Sequence, residues 1–274
     1  MIIQNTDFDV GKIAESGQCF RMMLNEHGSY DVIHKSRYLT IKPVSYDETT
    51  GFFSLELDCS LKEYEEIWKS YFDMETDYAK MASIADKEDI FLNEAVKYGK
   101  GIRILRQDPW EMLISFLISQ RKSIPAIRTS VERLCRLCGD AIDTKYGVKY
   151  AFPDANAIAA LSMEELAGCG LGYRAQYVSD AARRAACGEF DVYGMEALGD
   201  EELRSALMSL RGVGVKVANC VMLFGYGRLD SFPEDVWIKR AMESEYPNGF
   251  PYGKYEGYGG IMQQYIFFYI RNAK

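Results

Sequence analysis

The stretch MSLRGVGVKVANCVMLFGYGRLDSFPEDVWIKRAM, residues 208–242, decides how the chain is read. It passes from an apolar helix end through Gly212-Val213-Gly214 into a second apolar helix, then reaches Asp235 at the head of a third. Glycines flanking one valine make a tight turn whose backbone can approach a partner closely, and the free N–H groups of the following helix start suit a phosphate. The same pattern serves as an ordinary helix C-cap, so the turn alone leaves both readings open. Lys216 stands in the first turn of the second helix, where the macrodipole disfavours added positive charge and Val215 and Val217 flank it. An amine so placed is a candidate nucleophile for imine chemistry. Asp235 follows Pro233 and fits a helix N-cap, a role compatible with a catalytic one.

Outward from this hairpin, the 274 residues are 48% hydrophobic and 13% aromatic, enough for one large or two modest domains with real cores. Between Gly17 and Cys59 the short β-rich stretches SYDVIH, RYLTIKPV and FFSLELD are separated by turn signals and predict a small antiparallel sheet. From Leu61 the period becomes helical, with Pro109 opening one helix and Ser162 with Glu165 opening another. The expected fold is α+β, with an N-terminal antiparallel β-sheet domain over 1–98 followed by an all-α domain over 99–274. The Gly/Tyr-rich segment GFPYGKYEGYGG (249–260) reads as an ordered-to-mobile loop before a final helix, IMQQYIFFYIRN.

The net charge of −8 weighs against a nucleic-acid binder, since phosphate contacts need Lys and Arg. Residues 1–100, however, hold 11 basic and 19 acidic side chains, while 101–274 hold 21 of each, which permits a locally positive face in the second part. Cys135 and Cys138 form the one C-x-x-C pair, on an apolar helix face with no second pair or nearby His, so core packing is the expectation. With His27 and His34 the only histidines, a His triad or zinc site is not expected. The N-terminus has no basic, apolar leader and no uncharged run approaches membrane-spanning length, so a cytoplasmic protein without membrane association is expected.

The hairpin L-x-G-V-G-x-K-V-A and its spacing to P-x-D-V resemble the catalytic core of the 8-oxoguanine DNA glycosylases, in the helix-hairpin-helix superfamily. ESGQCFRM (15–22), GIRILRQDPWEMLISFLISQ (101–120), GLGYRAQYV (170–178) and the Q-x-x-x-F of the last helix match further family motifs in the family's order. The resemblance implies a bifunctional DNA glycosylase/AP lyase that flips 8-oxoguanine out of duplex DNA, attacks C1′ with Lys216 through a Schiff base and β-eliminates the 3′ strand. Asp235 then supports the developing positive charge, and the helical part is a helix-hairpin-helix glycosylase domain. Gly17 supplies the carbonyl that reads the lesion, Gln263 bonds the base edge, and Phe267 and Cys220 take its two faces. Tyr173 and Arg174 match the wedge and orphaned-base contacts, with Arg121, Gly212 and Gly214 on the DNA backbone. No cofactor or metal is implied. The implied partner is duplex DNA carrying an oxidised purine, bound by a monomer near the nucleoid. On the residues alone, Phe267 and Cys220 read as core and Gln263 as surface.

Some positions depart from the family. SQRKSIPAI, with Arg121, Lys122 and Ala126, stands where the family commonly has an Asn run followed by an arginine that helps read the orphaned cytosine. Weaker selectivity for cytosine is therefore expected. Trp237 replaces a frequent histidine, Arg211 stands where Pro is usual, and no cysteine quartet follows Asp235, as the endonuclease III iron–sulfur cluster would need. The rival readings are a glycosylase of the same fold for another damaged base, such as an alkylated purine, a non-catalytic hairpin module that grips DNA, and a protein whose glycine turns are only structural.

Overall fold

A computed structural model of the chain describes residues 1–273. Five antiparallel strands, β1 (Ile2–Asn5), β2 (Met22–Leu24), β3 (Tyr30–His34), β4 (Arg37–Asp47) and β5 (Phe52–Leu57), form a sheet in the order β1-β5-β4-β3-β2. The period of two is visible in β5, where Leu55 and Leu57 are buried and Glu56 between them is exposed. Phe8, Val32, Leu39, Ile41, Trp68 and Phe72 complete the core beneath that face. β1 and the helix Val10–Glu15 lie ahead of the stretch that the sequence marks as β-rich.

The longer helices are α1 (Ile90–Gly99), α2 (Pro109–Ser119), α3 (Ile124–Cys138), α4 (Ala175–Ala186), α5 (Asp200–Met208), α6 (Val215–Gly225), α7 (Val236–Glu245) and α8 (Gly259–Asn272). α8 packs on α1 and α7, and α6 packs on α2 and α5, around a second core. The expected starts are present. Asp108 accepts from the Trp110 and Glu111 amides ahead of Pro109, and Ser162 with Glu165 forms a reciprocal capping box. One element of the helical part is unexpected, a hairpin of β6 (Ala141–Thr144) and β7 (Gly147–Tyr150) that reaches the first sheet through Lys149–Asp31 at 2.8 Å and Lys145–Asp58 at 2.5 Å. The packing is also interleaved in sequence. Tyr78, Leu92 and Ala95 belong to the helical core, while Leu105 belongs to the sheet's.

The Gly/Tyr-rich segment is more ordered than expected. It holds a 3-10 turn, Tyr252–Tyr255, fixed by the Lys254–Asp86 pair at 2.6 Å and by the buried Tyr255 ring. Aromatic packing and an ion pair supply what its glycines lack.

Candidate active site

The loop at residues 16–18 is built by two motifs locking together. Gln18 is fully buried, and its side-chain amide donates to the Arg103 carbonyl at 2.8 Å and accepts from the Leu105 amide at 2.8 Å. Its own carbonyl accepts from the Gln107 side chain at 2.8 Å. On the other side, Gln264 of α8 donates to the Ser16 carbonyl at 2.6 Å. The carbonyls before and after Gly17 are thus taken, whereas among the described residues no donor reaches the Gly17 carbonyl itself. A backbone acceptor left without a partner beside a cavity is available to a ligand.

Gly17 is a glycine for two reasons. Its φ is +77°, and a Cβ there would lie 3.1 Å from Phe267 Cε1 and 3.3 Å from Ile124 Cδ1. Gly17→Ala is therefore expected to lose about 1–2 kcal/mol from the left-handed backbone alone. It should also displace the Phe267 ring. Denaturant unfolding checks the loss, and a variant as stable as wild type would show that the loop relaxes around the added methyl.

Gly17 and Phe267 line a cavity of about 770 Å³ together with Lys216 and Asp235. Three elements converge there. The hairpin turn delivers α6, whose first turn carries Lys216 with its Nζ 5.1 Å from the Phe116 ring centroid. One turn deeper is Cys220, buried, whose thiol burial pushes up against the opposing pull of the Lys216 cation. Asp235 caps α7, accepting from the Trp237 and Ile238 amides at 2.9 Å each, and no donor reaches its other oxygen among the described residues. α8 supplies Phe267 and, one turn on, Arg271, whose guanidinium carbon lies 5.2 Å from the Phe267 ring centroid. Among the described residues the walls carry Arg121, Lys122, Lys216, Lys239 and Arg271 against Glu234 and Asp235, so the acidic chain has a cationic cavity.

The structure thus brings Gly17, Lys216, Asp235, Phe267, Arg121 and Gly214 onto one surface. Cys220 and Gln263 lie in the buried layer rather than on the lining. Gln263, which reads as surface on residue type alone, is only 4% exposed because α8 is enclosed on most sides. Its Nε2 donates to the Pro233 carbonyl at 3.0 Å, while its buried Oε1 has no partner among the described residues. Gly212 lies outside the cavity, with φ +87° and a notional Cβ 2.4 Å from the Tyr177 ring. Tyr173 is exposed, and Arg174 beside it is buried with its Nε donating to the Gln120 carbonyl at 2.6 Å. Gln120 in turn donates to the Gly212 carbonyl at 3.2 Å, tying the hairpin to the Tyr173 turn. Glu234, Lys239 and Arg271 were not singled out in the sequence. Of these, Arg271 had a readable signal in its i+4 spacing from Phe267.

Residues 1–113 match the family model for the 8-oxoguanine DNA glycosylase N-terminal domain, and residues 114–248 match that for HhH-GPD superfamily base excision DNA repair proteins. A probable N-glycosylase/DNA lyase of Methanothermobacter thermautotrophicus is 30% identical over 68% of this chain. The chain spans 64%, less than two thirds, of that relative's own length. The structure of MBOgg1 with a low-affinity DNA ligand superposes with a TM-score of 0.89 at 37% identity, over 98% of this chain and 94% of the other. That of the Clostridium acetobutylicum 8-oxoguanine glycosylase/lyase with duplex DNA carrying cytosine opposite 8-oxoguanine gives 0.88 at 31%, over 99% and 97%.

Proposed function

The chain belongs to the 8-oxoguanine DNA glycosylase family of the HhH-GPD superfamily, and from that membership we propose that it is a bifunctional DNA glycosylase/AP lyase that excises 8-oxoguanine from duplex DNA. The observation that carries the proposal is the single cavity shared by Lys216, Asp235, Gly17 and Phe267. A glycosidic bond inside a stacked duplex is out of reach, so the damaged nucleotide must be extruded. Exposed Tyr173 is the wedge that fills the vacated stack, and Arg121, Gly212 and Gly214 hold the backbone. The cationic walls suit the phosphates that accompany the extruded nucleotide.

Inside, the free Gly17 carbonyl accepts the N7 hydrogen that 8-oxoguanine has and guanine lacks. Guanine would set two acceptors against each other, a penalty of about 1–3 kcal/mol. The unpartnered Gln263 Oε1 is suited to the donors on the base's Watson–Crick edge, and Phe267 to its face. As the base departs, the neutral Lys216 amine forms the C1′–N bond and the purine leaves with the glycosidic electron pair. The aminal so formed loses a proton from nitrogen and opens its C1′–O4′ bond, O4′ taking up a proton, to give the iminium. Loss of a C2′ proton from that iminium then expels the 3′ phosphate. The Asp235 carboxylate faces the positive charge that develops on the sugar. Incubating the protein with an 8-oxoguanine duplex and borohydride tests this. A covalent protein–DNA species with the lesion and none with undamaged duplex is the expected result, and no species in either sinks the lyase reading.

Opposite-base selectivity should be weak. Ala126 is exposed and has no side chain to reach a base, and Arg174 is committed to the Gln120 carbonyl. A bidentate arginine reader contributes about 1–3 kcal/mol of discrimination, so its absence should bring cleavage of lesion:C and lesion:A duplexes within about tenfold of each other. A strong preference for C would refute this. We read the protein as a monomer that acts on the chromosome in the cytoplasm. No helix among the described residues is long and apolar enough to cross a membrane.

A further inference from the structure

Glu234 lines the cavity beside Asp235 and Lys216, and Tyr252 Oη donates to its Oε1 at 3.0 Å. That phenol is placed with care. Its ring is held by Phe232 and Phe250, with centroids 5.1 Å away in each case. The Gly/Tyr-rich segment that carries it is anchored by Lys254 on Asp86, by the Asp86 amide donating to Tyr255 Oη, and by the Gly257 amide on the Asp230 carboxylate. The loop carrying Glu234 is tied as well, through Asn219 donating to the Phe232 carbonyl at 3.2 Å and Gln263 to the Pro233 carbonyl at 3.0 Å. Among the described residues each carboxylate keeps one oxygen free, but Asp235 is held at the helix start by two amides, whereas Glu234 carries its free Oε2 on an arm one methylene longer.

Resting on the lyase reading above, we infer that Glu234 is the group that takes the proton Lys216 must shed before its nitrogen attacks, and that Tyr252 is its positioning residue. The ammonium transfers one proton to the carboxylate, directly or through a water, leaving a neutral amine and a carboxylic acid. The nitrogen lone pair then forms the C1′–N bond as the glycosidic bond breaks. The purine takes the bond's electrons, and the acid can return its proton to that purine. The charged groups that line the same cavity are Lys216, Lys239, Arg121, Lys122 and Arg271, with Asp235 next to Glu234 in the chain.

The test is the pH profile of single-turnover 8-oxoguanine excision by wild type, Glu234→Gln and Tyr252→Phe, with borohydride trapping and lesion-duplex binding alongside. Glu234→Gln should excise about 10²-fold more slowly near neutrality, as loss of a general base does, while binding stays within a few-fold. Its rate should recover as pH rises, because base in solution then takes the proton that the carboxylate took. Tyr252→Phe keeps the packing but removes a donor to the carboxylate, so the acid limb of its profile should move to higher pH. A Glu234→Gln profile that parallels wild type, or an unmoved acid limb in Tyr252→Phe, overturns the inference. If wild type itself yields no trapped adduct, the lyase reading has failed instead, and the two failures are distinguishable.

Discussion

Lys216→Gln should abolish the borohydride-trapped adduct and lower strand cleavage by at least about 10³-fold, because the covalent route has no nucleophile without the amine. The substitution is close to isosteric, and the side chain packs over Phe116 at the edge of an otherwise buried helix face, so folding should be unaffected. Binding should survive. Removing one of five cations from the cavity weakens phosphate attraction only modestly and would slightly flatten the salt dependence. Lys122 is a poor substitute nucleophile, since its Nζ already donates to Ser130 Oγ and the Gly170 carbonyl. Lys239 remains in the same wall, so a trapped species persisting in Lys216→Gln would point there. Base removal continuing at the wild-type rate without a trapped species would mean that water attacks C1′, and the Schiff-base step would have to be given up.

How far the sequence reached depends on the kind of signal each residue carried. The hairpin was legible because glycines around a valine have few conformational uses, and Asp235 because a cap after Pro is a local rule. The β-rich stretch was legible from its turns. β6 and β7 were not, because AIDTKYGVKY is short, polar and exposed, and it forms a hairpin by leaning on the first sheet rather than by burying an apolar face of its own. Gln263 was misplaced by residue type, since no local pattern reveals that α8 is enclosed on most of its sides. The role of 249–260 was hidden for a similar reason. Its order comes from Asp86 and Asp230, which only the tertiary fold brings near. The cationic cavity was permitted by the charge distribution but not derivable from it, since five basic residues spread over 121–271 meet only in three dimensions.

Asp235→Asn and Asp235→Ala should separate a structural carboxylate from a chemical one. Asn caps a helix about as well as Asp, so the Asn variant keeps acceptance from the Trp237 and Ile238 amides and loses only the charge–dipole contribution, about 0.3–1 kcal/mol. Ala loses the cap as well, roughly a further 0.5–2 kcal/mol. If the residue were only a cap, excision would track stability, and Asn would behave nearly as wild type. If the carboxylate opposes the positive charge that builds on the sugar, both variants should lose excision by a similar factor, about 10²–10³, although their stabilities differ. Denaturant midpoints set beside single-turnover rates decide between the two. A fully active Asn variant would reduce Asp235 to an N-cap and leave the cavity's chemistry to Lys216 and Glu234, whereas equal loss in both fixes the charge itself as what the transition state requires.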